Sequence, residues 1–271
     1  MSVQILPKPR IQLPDLQDKV AWITGAGSGI GHAAAMLLAQ QGMKVCLVDV
    51  KNDRLAQTVK DITDAGGQAM TVDADAADPA RIAQAFEQTV KQWGRLDVVF
   101  ANAGINGVLA PIEDMKPEDW DRTLDVNLKG TFLSVKYAIP HMKQSGGSII
   151  ITSSINGSRS FSGFGMTAYS ASKAGQVAFA KMAALELARY KIRVNAICPG
   201  SIETNIKENT QPTPELGKIK IPVKYPEGSQ PLEHAPGQPE QVAELVAFLA
   251  SEVSSHITGT ELFIDGAESL L

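Results

Sequence analysis

Two cysteines and four histidines are all that a chain of 271 residues carries. Cys46 and Cys198 each lie in an apolar, β-branched run ("KVCLVDV", "IRVNAICPG"). That setting predicts buried, reduced thiols and no disulfide. His32, His141, His234 and His256 are scattered without ligand spacing, so no metal site is expected. There is no basic cluster and the net charge is −4, which leaves nucleic acid no electrostatic footprint. Neither an apolar run of membrane-spanning length nor a secretory signal occurs, and the expected compartment is therefore the cytoplasm. What is present suits a soluble enzyme: 44% hydrophobic residues can fill a core, and 20% are charged. The first 17 residues hold three prolines and read as a surface arm, with one domain over 18–271.

Short apolar runs alternate with helical patterns from residue 20 onward. Strands are predicted at 20–24, 44–49, 69–74, 96–104, 148–154, 192–200 and 261–265. Amphipathic stretches fall near 30–41, 52–65, 79–93, 117–143, 166–190 and 239–250. Seven strands alternating with helices imply an α/β fold: a doubly wound parallel sheet with helices on both faces. The interval 201–238 breaks the pattern with six prolines and little periodicity. A connection that long, after a strand end, reads as a substrate lid.

The stretch Thr24-Gly25-Ala26-Gly27-Ser28-Gly29-Ile30-Gly31 follows the first strand and opens the first helix. Glycines there permit a sharp turn, and a helix N-terminus offers free N–H groups to a pyrophosphate. The strand–turn–helix context raises a glycine-rich turn from a tight connection to a phosphate site. Asp49 ends the second strand about twenty residues after these glycines, where a carboxylate can accept from ribose hydroxyls. It would repel a 2′-phosphate, and no cation stands in the glycine turn, which favours NAD over NADP. In "Tyr169-Ser170-Ala171-Ser172-Lys173", phenol and ammonium are one helical turn apart. Alone, that spacing also describes a half-buried tyrosine beside a solvated lysine.

Together with "Ala101-Asn102-Ala103-Gly104", Ser153-Ser154 and Pro199-Gly200, these motifs make the chain resemble the short-chain dehydrogenase/reductase family from about Lys19 to Gly266. The resemblance implies one Rossmann-type domain, a three-layer sandwich with strand order 3-2-1-4-5-6-7, assembled as a homotetramer or dimer. It implies that Asp75 and Ala76 contact adenine, that Asn102 supports the central strand and the adenosine side, and that Ala103 and Gly104 beside it bind the cofactor. Pro199, Gly200, Ile202 and Thr204 match the stretch that holds the nicotinamide amide. Asn127 matches a helix-kinking asparagine that holds a proton-relay water. Ser154 matches the carbonyl-orienting serine, Tyr169 the proton-transfer residue, and Lys173 its partner and a ribose ligand. The interval from Ser154 to Tyr169 is a residue or two longer than usual, leaving Ser153 as an alternative serine. "Asp265-Gly266-Ala267" lacks a frequent second glycine.

The chemistry fits those roles. A tyrosine of ordinary pKa, about 10, is a poor base at neutral pH, and a nearby ammonium would lower it. A serine hydroxyl can donate to a developing alkoxide. The expected activity is NAD(H)-dependent interconversion of a secondary alcohol and a ketone. Asn106, Asn156, Ser158 and Arg159 suggest a polar substrate lining, with Phe161 and Phe164 as walls, and hence a sugar or polyol. The competing readings are a cofactor-sensing regulator without turnover and a lyase or epimerase using NAD transiently.

Overall fold

The computed structural model describes residues 11–50, 52–161, 163–219, 221, 225 and 228–271. Seven strands form one wholly parallel sheet: β1 (Val20–Thr24), β2 (Lys44–Asp49), β3 (Gln68–Asp73), β4 (Val98–Ala101), β6 (Gly147–Thr152), β7 (Ile192–Pro199) and β9 (Glu261–Ile264). Their spatial order is β3-β2-β1-β4-β6-β7-β9, the order that the resemblance implied. Two short strands, β5 (Gly107–Leu109) and β8 (Thr210–Pro212), pair apart from it.

Because side chains alternate along a strand, each strand feeds two cores. Ala21, Ile23, Val45, Leu47 and Phe100 pack under α1 (Gly29–Gln40), α2 (Asn52–Asp64) and α7 (Pro239–Ala250). Trp22, Cys46, Val48, Val99 and Ile151 pack under α3 (Pro79–Trp93), α5 (Gly130–Met142) and α6 (Thr167–Leu187). Both faces are thus covered, which explains why the strands read as continuous apolar runs. Both cysteines are buried and free. Among the described residues, no helix is long and apolar enough to cross a membrane and no acidic or His/Cys cluster could hold a metal.

The structure departs from the sequence reading in three places. The strand expected over 96–104 stops at Ala101, because the Thr24 hydroxyl captures the N–H groups of Asn102 and Ala103 at 2.9 and 3.0 Å. The helix expected over 117–143 is two helices, α4 (Pro117–Leu124) and α5, joined through a π turn at Asp125–Lys129. Of the expected arm, residues 1–10 lie outside the described residues, and 11–17 are no loose surface segment. Leu13 and Leu16 are buried in the core, and Asp15 accepts hydrogen bonds from the Ser251 hydroxyl and the Glu252 N–H.

The order of the sheet reverses between β1 and β4, so the chain leaves their C-terminal ends in opposite directions and opens a crevice there.

Candidate active site

That crevice is a cleft of about 810 Å³. All the residues expected to bind cofactor line it except Gly27 and Gly31, and so do Ser154, Tyr169 and Lys173. Gly31 instead packs inward, where a Cβ would overlap the Gly25 carbonyl oxygen. Gly29 turns the chain at φ +54°, and its bare Cα lets Thr204 lie directly against it. The α1 N-cap, Ser28, makes no side-chain capping bond, so the first N–H groups of α1 remain available to an anion. The Asp49 carboxylate is held by the N–H groups of Gly27 (3.1 Å) and Val50 (2.7 Å). Asn102 ties three strand ends together: its amide donates to the Thr24 carbonyl at 3.1 Å and accepts from the Thr152 hydroxyl at 3.0 Å. Asp75 accepts from the Ala77 N–H and pairs with Arg122 at 3.4 Å. These features suit a dinucleotide: donors for a pyrophosphate at one helix end and a fixed acceptor for ribose hydroxyls.

At the other end, α6 presents Tyr169, Ser172, Lys173 and Gln176 on one buried face, the spacing of successive helical turns. The Ser154 hydroxyl is close enough to the Tyr169 phenol to favour its charged form. The Ser153 hydroxyl donates instead to the Lys173 carbonyl at 2.8 Å, so of the two serines it is Ser154 that meets the tyrosine. Lys173 Nζ donates to the Thr152 carbonyl at 2.8 Å and lies 5.5 Å from the Tyr169 ring centre.

Burial governs the titration of this pair. Loss of water pushes the Tyr169 phenol above its ordinary value, against the lowering by Ser154. The same desolvation holds the Lys173 ammonium down to about 7. The expected lowering of the tyrosine by its lysine is therefore not found in the protein alone: burial drives both groups toward their neutral forms.

Asn127 does not line the cleft. It is fully buried in the π turn, where its side-chain amide accepts from the Ile105 N–H (2.8 Å) and donates to the Ile105 carbonyl (2.9 Å) and Ser172 hydroxyl (3.0 Å). Its own carbonyl accepts from Thr131 and from Gln176 Nε2, at 2.8 and 3.0 Å. Geometrically it staples the loop after β4 to α6. Gln176, which the sequence reading missed, completes that staple. Its signal was a polar residue one turn beyond Lys173 on an otherwise apolar face.

The substrate end is only partly as expected. Asn106 and Asn156 line it, with Ile105, Met166 and Ile206. Ser158, Arg159 and Phe161 do not, although Ser160 and Gly163 do: the Arg159 guanidinium stacks 3.4 Å over Phe263, and Phe161 is exposed. Phe164 also stands outside the lining. The interval 201–238 contributes Ser201–Lys207, Asn209 and Pro236, while 220, 222–224, 226 and 227 lie outside the described residues. Two further residues unseen in the sequence reading brace its start. Glu268 accepts from the Ser201 N–H at 2.7 Å, and buried Gln230 bridges the Ser201 carbonyl (2.7 Å) and Glu268 (3.1 Å).

A family model described as Enoyl-(Acyl carrier protein) reductase matches residues 25–267. Cyclohexanol dehydrogenase of Acinetobacter sp. is 38% identical, over 95% of this chain and 98% of its own. The crystal structure of a 3-ketoacyl-ACP reductase from Sinorhizobium meliloti has a TM-score of 0.88 at 46% identity, covering 93% of this chain and 99% of that one. A 3-ketoacyl-(acyl-carrier-protein) reductase from Brucella melitensis, solved with NADH, has a TM-score of 0.82 at 32% identity, covering 94% and 99%. The chain is an oxidoreductase and belongs to the short-chain dehydrogenase/reductase family.

Proposed function

We propose that the protein interconverts a secondary alcohol and a ketone with NAD(H), through Tyr169, Ser154 and Lys173. The observation that carries this reading is the convergence of the Ser154–Tyr169 hydroxyl pair and Lys173 on the cleft whose far end holds the glycine turn and Asp49. The nicotinamide supplies the hydride acceptor and donor. Tyr169, held neutral by burial, gives its proton to a ketone oxygen in reduction and takes one from an alcohol in oxidation. Ser154 orients that oxygen and stabilises charge developing on it. Lys173 restores positive charge beside the tyrosine when protonated, and holds the nicotinamide ribose. Asn127 acts as a positioning residue, through Ile105 and Ser172.

Asp49 supports NAD over NADP, and the Brucella relative binds NADH. The Asn106 and Asn156 amides favour a polar alcohol, such as a sugar or polyol. A second reading, reduction of a 3-ketoacyl thioester, is favoured by the 46% identical reductase. The apolar residues exposed on α5 and α6, Phe132, Met182 and Leu185, support a homotetramer or dimer.

The test is NADH formation or consumption with a panel of cyclic alcohols, polyols, sugars and 3-ketoacyl thioesters. Turnover of a polyol or sugar above the thioester supports the first substrate reading, and the reverse order selects the second. Nucleotide binding with no hydride transfer to any substrate would support a cofactor-sensing role instead.

A further inference from the structure

We propose that Glu208, on the lid, is a second determinant of NAD preference, acting by holding Arg54 away from the adenosine ribose. The inference rests on the reading of the cleft as a dinucleotide site, and it concerns a pair of residues outside the glycine and aspartate motifs.

Arg54 stands in the first turn of α2, five residues after Asp49, and lines the cleft. The two flank the same glycine: a Cβ on Gly27 would lie 3.0 Å from Arg54 Cβ and 3.1 Å from Asp49 Oδ2. An arginine so close to the ribose-binding carboxylate is the group a 2′-phosphate would use, since guanidinium and phosphate form strong, paired charge-assisted bonds. Taken alone, Arg54 therefore argues for NADP, against Asp49.

In the folded chain Arg54 is committed elsewhere. Its Nη2 donates to Glu208 Oε2 at 2.6 Å. Glu208 is itself oriented by the Asn205 amide, which donates to its other oxygen at 3.0 Å. The short helix Asn205–Asn209 that carries Glu208 is anchored at both ends. Thr204 packs against Gly29, and the Thr210 hydroxyl donates to the Ile206 carbonyl and accepts from Asn106. Glu208 is thus presented to Arg54 by a braced segment.

The consequence is a difference between the two cofactors. A ribose with free hydroxyls carries no charge and leaves the ion pair undisturbed. A 2′-phosphate, bearing close to two negative charges, must draw Arg54 off Glu208 and break that ion pair. The two side chains are 33% and 42% exposed, so water and salt moderate the effect.

The experiment titrates NADH and NADPH into the full chain, following nicotinamide fluorescence, for the wild type, Glu208→Gln and the double variant Arg54→Leu/Glu208→Gln. Glu208→Gln should tighten NADPH about fivefold and leave NADH within about twofold. The double variant should lose that gain, because the released arginine is gone. An NADPH/NADH affinity ratio in Glu208→Gln within about twofold of the wild type overturns the proposal. So does a gain that survives in the double variant, since Glu208 would then act by direct repulsion. A wild type that binds neither nucleotide overturns the dinucleotide reading and this one together, whereas nucleotide binding with an unmoved ratio overturns this one alone.

Discussion

Replacing Lys173 by methionine should make the free protein more stable at neutral pH and catalytically inert. The lysine is 3% exposed, and burial lowers its ammonium from the ordinary 10.5 to about 7. Below pH 7 the folded protein must keep that charge buried or give up its proton, a cost carried in full. As pH rises from 7 toward 10.5 the unfolded chain still binds the proton and the folded chain does not, so stability increases with pH across that window. At about 1.4 kcal/mol per pH unit, the cost at pH 7 is about 4 kcal/mol and falls by about 2 kcal/mol by pH 9. Methionine removes it, but leaves the buried Thr152 carbonyl without its donor, a loss of about 1–3 kcal/mol. The net gain at pH 7 is then about 1–3 kcal/mol. Urea unfolding of both proteins at pH 7 and pH 9, without nucleotide and at one protein concentration, measures it. The decisive quantity is the change in the stability difference between the two proteins, in which all other titrating groups cancel. If that difference moves by less than about 0.5 kcal/mol, Lys173 is not held near neutral by burial and the account of the pair is wrong.

Three further outcomes are expected. Tyr169→Phe should lower single-turnover hydride transfer at least about 100-fold with NADH affinity nearly unchanged, and a residual rate above about a tenth would make the tyrosine structural. Ser154→Ala should reduce kcat more than nucleotide affinity, whereas Ser153→Ala, whose hydroxyl serves the Lys173 carbonyl, should act mainly on stability; equal kinetic losses would refute the distinction. Because burial raises the Tyr169 phenol, alcohol oxidation should accelerate with pH while ketone reduction does not, and an oxidation rate independent of pH between 6 and about 9 would refute it.

Strand positions, parallel pairing and the site at the strand ends were legible in the sequence, because they follow from local periodicity and turn chemistry. The β-branched runs could only be strands buried on both faces, Gly29 takes a left-handed turn that favours glycine, and Gly31 stands where a close approach admits no Cβ. Tyr169 and Lys173 were legible for the same reason, being one turn apart on one helix. Side-chain direction after a turn was not. Arg159 and Phe161 are polar and aromatic neighbours of the site in sequence, yet Ser160 between them lines the cleft while Arg159 stacks on Phe263 and Phe161 faces solvent. Only tertiary structure turned the Ser153 hydroxyl to the Lys173 carbonyl and Ser154 to the tyrosine, since adjacent residues leaving a strand face opposite ways. It also decided what the Asn127 side chain holds, namely Ile105 and Ser172, and burial, a property of the whole fold, raises the Tyr169 phenol where a lowering was expected. The pairing of Arg54 with Glu208, 154 residues apart, has no local signature at all: opposite charges attract over a few ångströms, and only the folded chain determines which ones come that close.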